Sequence, residues 1–137
     1  MKNFTNFTDF QNLAEGEIIA AVKRDGLLIR LFRNPSEAVQ LEAVKENGLA
    51  LQYLKNPSEA VQLAAVRQNG LALQYLIFKN PSEAVQLAAV KKNGCALLFL
   101  ENPSEAVQME EAVQMEVAKT AARFNKLMSD RMDYAVQ

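Results

Sequence analysis

Apolar positions in this chain arrive in clusters rather than alternating with polar ones, and the clusters repeat. The stretch NPSEAVQLAAV fills residues 56–66, returns letter for letter at 80–90, stands with one change at 34–44, and begins again at Asn102. Its body, AVQLAAVRQ, is rich in Ala, Leu and Gln, and the absence of a two-residue period argues for helix over strand. Pro35, Pro57, Pro81 and Pro103 are spaced by 22, 24 and 22 residues, and Gly26, Gly48, Gly70 and Gly94 by 22, 22 and 24. A fixed period of this length is the signature of a stacked repeat. The one irregularity is LALQYLIFKNP, which carries Ile77 and Phe78 in addition to the LALQYLKNP of the unit before it.

Each unit brings its own punctuation. Asn56 is suited to cap a helix, Pro57 to open it and Glu59 to close a capping box, while Asn69-Gly70 stops it with a glycine free to take the left-handed conformation. A helix of about twelve residues is expected between these signals, followed over LALQYLK by about two turns of α- or 3₁₀-helix. Neither helix can bury its apolar face alone, so the fold expected is all-α: a short α-solenoid of alternating longer and shorter helices with helical caps at both ends.

A single domain over residues 1–137 follows. It divides into an N-terminal cap (1–16), a degenerate first unit (17–33), repeats at 34–55, 56–79 and 80–101, and a long C-terminal capping helix (102–137). In the N-terminal cap, Phe4, Phe7, Phe10 and Leu13 recur every three residues and suit a short aromatic helix laid over the first unit. At the other end EAVQME is written twice in succession, at 105–110 and 111–116, with no glycine after it. Six added residues turn a helix by about 600°, so the second copy faces about 120° away from the first. Val113, Val117, Ala121, Phe124, Met128 and Met132 then keep helical spacing, which predicts one long helix from about Pro103 to Met128 or beyond. Val113, Val117, Phe124 and Met128 on that helix form a candidate dimer seam, and its methionines suit an adaptable contact.

Composition narrows the functions. Fifteen Lys and Arg against sixteen Asp and Glu leave a net charge of −1, with no global pull toward nucleic acid or an anionic membrane. No apolar run reaches the roughly 20 residues that span a bilayer, and no secretory signal opens the chain, so a cytoplasmic protein is expected. The sequons at Asn3 and Asn6 then count as chance matches. With no histidine, the commonest proton shuttle and transition-metal ligand are missing. Cys95 stands where other units have Leu27, Leu49 and Leu71, which reads as a packed thiol rather than a nucleophile. No catalytic, cofactor or metal site is expected.

The NPSEAVQLAAVKKNG phrase resembles the short tandem helical repeats of uncharacterised function found in bacterial and phage proteins. In period it is also similar to leucine-rich-variant and HEAT-like repeats. The resemblance covers about residues 17–115 and implies a superhelix that binds other macromolecules, with no catalytic residue carried over. It suggests a compact inhibitor, of phage or mobile-element type, that occludes a larger host enzyme or defence complex.

Stacking turns repeated positions into columns. Along the short helices run Arg30, Gln52, Gln74 and Leu98 beside Leu31, Tyr53, Tyr75 and Phe99, and this is the expected protein-binding surface, with tyrosine as its anchor. Lys23, Arg24, Lys45, Arg67, Lys91 and Lys92 gather toward the ends of the longer helices, opposite Glu37, Glu59, Glu83 and Glu105. Helix dipoles account for that segregation, and a nucleic-acid backbone on the basic edge is the alternative reading. A further column, Gln40, Gln62, Gln86 and Gln108, suits a solvated face or a ladder between units.

Overall fold

A computed structural model describes the backbone of residues 11–136 and the side chains through Arg131. Phe4, Phe7 and Phe10 of the expected caps, and the side chain of Met132, therefore lie outside what is described. The long helices are α1 (Glu15–Arg24), α2 (Glu37–Glu46), α3 (Glu59–Gln68), α4 (Glu83–Lys92) and α5 (Glu105–Val136). Between them lie 3₁₀ segments: η1 (Gly26–Leu31), η2 (Gly48–Tyr53), η3 (Gly70–Tyr75), η4 (Ile77–Lys79) and η5 (Gly94–Phe99). No strand occurs among the described residues, and each long helix packs on the next to give an all-α, solenoid-like stack.

Hydrogen bonds fix the direction of the stack. Ser58 Oγ donates to Glu37 Oε1 at 2.7 Å and Ser82 Oγ to Glu59 Oε1 at 2.8 Å, and Ser36 makes the same bond to Glu15. These join the N-terminal ends of successive long helices. At the opposite ends the amide of Gly48 donates to Gln68 Oε1 at 2.6 Å, and that of Gly26 to the Glu46 carboxylate. N-termini lie beside N-termini and C-termini beside C-termini, so the long helices run parallel in one layer and the short helices form a second.

The punctuation differs from the sequence expectation in three ways. The N-cap is the serine, not the asparagine: Ser58 has φ −65° and ψ 163° and accepts from the Val61 amide at 3.3 Å. Proline precedes the helix, and Glu59, the first helical residue, reaches across to the next unit instead of closing a capping box. Helices α1 to α4 are accordingly ten residues each. The Asn of Asn-Gly takes an extended conformation, and its side chain caps the short helix, as when Asn69 Oδ1 accepts from Leu71 N at 3.0 Å. No described glycine has a positive φ.

The glycines are required by packing rather than by a left-handed turn. A Cβ at Gly26, Gly48 or Gly70 would lie under 3.0 Å from the carbonyl oxygen of Ala43, Ala65 or Ala89 in the following long helix. Those alanines are fully buried, and a short side chain on one element with none on the other brings the two backbones into contact. Val39, Val61, Val85 and Val107 with Val22, Val44, Val66 and Val90 fill the layer of long helices, and Ile29, Leu51, Leu73, Leu54 and Leu76 fill that of the short ones. Burying each such side chain favours the stack by about 1.5–3 kcal/mol.

The repeat ends at α5. Glu111 stands where Ala43, Ala65 and Ala89 stand in the earlier units. A Cβ at Gly94 would meet only Gln114 Oε1 and Glu111 Cγ, both at 3.5 Å. The longer side chain holds α5 away from the close approach made elsewhere. Gln114 closes the C-terminus of α4 instead, with its amide donating to Val90 O at 3.0 Å and Lys91 O at 2.8 Å. Every described residue from Met115 to Arg131 is exposed, so α5 caps the stack only with its first turns and then projects from it.

Candidate functional site

The short-helix layer carries the expected interaction residues, and the structure sorts them by burial. Tyr53 is 43% exposed and Leu98 84%, whereas Tyr75 and Phe99 are half-buried. Arg30 and Gln52 are exposed but turn back on their own helices, to Leu27 O at 3.4 Å and Leu49 O at 3.0 Å. Gln74 is half-buried and does the same, to Leu71 O at 3.1 Å. These side-chain bonds close the 3₁₀ turns, so the polar members of the column act within the fold while Tyr53 and Leu98 are left to solvent.

The feature the column did not single out is the two-residue insertion. Ile77 and Phe78 form the extra segment η4, and Phe78 is 93% exposed. Asn80 then turns the chain back at φ 48°, a left-handed conformation that asparagine tolerates better than most residues. Lys79 pins the excursion in place, donating from Nζ to Leu54 O at 3.0 Å and also to Lys55 O, at the end of the preceding short helix. Phe78 is thus held within one lysine's reach of the η2 terminus that bears Tyr53. The only sequence signal was the broken period, with two apolar residues that have no place in the frame.

Tyr53 also walls a groove between successive inter-unit turns, together with Pro35, Gln40, Leu54 and Lys55. Apolar surface from Tyr53, Pro35 and Leu54 sits there beside the exposed Lys55 ammonium. The described residues contain no group of three or more His, Cys, Asp or Glu arranged to hold a metal.

The other columns fall elsewhere. Lys23, Arg24, Lys45, Arg67, Lys91 and Lys92 are exposed in the last turns of α1 to α4, with Asp25 and Glu46 among them on the same edge. Six cations against these two carboxylates leave that edge net basic. Gln40, Gln62, Gln86 and Gln108 are not a ladder between units. Each donates to the proline carbonyl of its own unit, Gln62 to Pro57 O at 3.0 Å and the others at 2.9 Å, which ties down the turn before the helix.

Cys95 is exposed rather than packed. Leu27, Leu49 and Leu71, its counterparts, are half-buried in short helices that a further short helix follows in the stack, and none follows η5. The same ending leaves Leu98 uncovered. On α5, Val113, Val117, Phe124 and Met128 are all exposed along one side, and no helix among the described residues is long and apolar enough to cross a membrane. The chain is a tandem helical repeat, and no protein-family model, curated protein or solved structure matches it.

Proposed function

We propose that this chain is a non-enzymatic, cytoplasmic protein-binding module, which engages its partner through the rim of the short-helix layer. The observation that supports this most is the exposure of Phe78, next to the Lys79 that ties its segment to the end of the helix bearing Tyr53. A large aromatic that contributes nothing to its own core, held by Lys79 on a rigid stack, is the usual form of an interface anchor. Kinship with the short helical repeats of bacterial and phage proteins belongs to the same proposal. So does action as an inhibitor that occludes a larger enzyme or defence complex, since a fixed surface can act by occupying another.

The test is affinity capture from bacterial lysate at low and high salt, with the wild type and the double variant Tyr53→Ala, Phe78→Ala. A protein retained at high salt by the wild type and lost by the variant is the expected result. Recovery of nucleic acid that vanishes at high salt would instead assign function to the basic edge, because phosphate contacts weaken steeply with ionic strength. A protein captured equally by the variant would remove the rim from the proposal.

A further inference from the structure

From Met115 onward α5 stands in solvent with its apolar side uncovered, whereas most helical stability in proteins comes from packing such a side. That side has a definite repeat. Val113, Val117, Thr120, Phe124 and Leu127 follow one another at steps of four, three, four and three, the spacing of a coiled-coil seam. Val113, Val117, Phe124 and Leu127 are each more than half exposed. The seam runs for about 21 Å along the helix.

The geometry points to a second copy of this chain as the occupant, packed antiparallel on the same face. Charge decides the orientation and the register. Glu116 and Arg123 each stand one residue before a seam position, Val117 and Phe124. In an antiparallel pair such flanking residues face each other across the seam. With Val113 opposite the partner's Phe124, and Val117 opposite the partner's Thr120, Glu116 meets the partner's Arg123 and Arg123 meets the partner's Glu116. The complementarity is self-consistent, as a two-fold interface requires.

The alternatives carry penalties. Sliding by one heptad in one direction sets Glu116 against the partner's Glu116. Sliding in the other sets Arg123 against the partner's Arg123 and Glu116 against the partner's Asp130. A parallel pair in register brings Arg131, next in the seam spacing after Leu127, against its own copy. It also crowds both solenoids at one end and leaves Glu116 and Arg123 facing Ala121 and Met128 of the other helix. The first arrangement alone pairs both charges while burying Val113, Val117, Thr120 and Phe124 in the seam; Leu127 then lies opposite the partner's Glu110, and the two solenoids stand at opposite ends of the seam.

Sedimentation equilibrium of the full chain, from low to high micromolar concentration, tests this. The expected result is a concentration-dependent rise toward twice the 15.2 kDa chain mass. Glu116→Arg and Arg123→Glu, each alone, are expected to weaken the dimer roughly tenfold, since both cross-pairs become repulsive. Mixing the two single variants is expected to restore association, because each then offers the charge the other needs. The double exchange Glu116→Arg, Arg123→Glu is expected to dimerise like the wild type. Circular dichroism at fixed low concentration checks that each variant retains its helices. A constant monomer mass throughout would overturn the inference and leave this face to another partner. Dimerisation indifferent to the single exchanges would overturn it in favour of a parallel or unrelated contact.

Discussion

The four equivalent glycines offer a matched experiment, because three meet a following repeat helix and one does not. In Gly70→Ala the new methyl would overlap the carbonyl oxygen of Ala89 and lie 3.0 Å from both Asn93 Cβ and Asn93 N. Two of those three atoms are backbone, so relief requires moving α4 away from η3. That loosens the fully buried contacts of Leu73, Val85 and Ala89. Overpacking of this kind costs about 1–3 kcal/mol. Gly94→Ala meets nothing closer than 3.5 Å, and its φ is not positive, so alanine can adopt the native backbone. There the loss of freedom in the unfolded chain dominates and favours the folded state by about 0.4–1 kcal/mol. The two substitutions, chemically identical and 24 residues apart, should differ in sign. Urea unfolding followed by circular dichroism measures this directly, provided the slope with denaturant is unchanged. At a few degrees per kcal/mol, Gly70→Ala should melt roughly 5 °C below wild type and Gly94→Ala at or slightly above it. Equal destabilisation would refute the reasoning, because it would mean that glycine is needed for its own backbone rather than for the approach of the next helix.

Further outcomes follow from the same contacts. Lys92 occupies the position from which Glu46 and Gln68 accept the glycine amide of the preceding unit, and an ammonium can only donate; Lys92→Gln should therefore stabilise the chain by about 0.5–1.5 kcal/mol in urea unfolding. Ser58→Ala removes both the cap on the Val61 amide and the bond to Glu37, and should cost about 0.5–2 kcal/mol by the same assay. Leu51→Ala should cost about 2–5 kcal/mol at a site 2% exposed, whereas Leu98→Ala, on the uncovered edge of η5, should stay within about 0.5 kcal/mol of wild type. Phe78→Ser should likewise leave the thermal midpoint unchanged while abolishing partner capture, which separates a binding residue from a folding one.

The stack could be read from the chain because its period, its helix-forming body and its Pro and Gly punctuation all agree, and consistency across levels is what makes a fold legible. Details of the punctuation could not. Ser58 and Asn56 are both good caps, and only Ser58 also bonds across to Glu37 of the preceding unit, a bond that exists only once units are stacked. Gly70 fits a left-handed turn as well as a close approach until Ala89 is placed against it. The exposure of the short-helix column was half legible. Its register put Tyr53 and Leu98 at the surface, but burial separates them from Tyr75, and Phe78 belongs to no column because it arises from a break in the period. Cys95 was misread for the opposite reason: a repeat argument assigns it the environment of Leu49, whereas no further short helix follows to supply that environment.

Hydrogen exchange of the dilute chain, resolved by segment, tests the account most directly. Its central claim is that residues 22 to 107 form one coupled stack and that α5 beyond Gln114 stands outside it. The account predicts slow exchange for the amides around Val44, Val66 and Val90, with the units protected together. Residues 116–131 should exchange close to the rate of an isolated helix, and gain protection only as concentration rises. Strong protection of that segment at every dilution would contradict the account, since α5 would then be packed on the solenoid body. Fast exchange throughout α2 to α4 would contradict it equally, because the stack would not be the stable core.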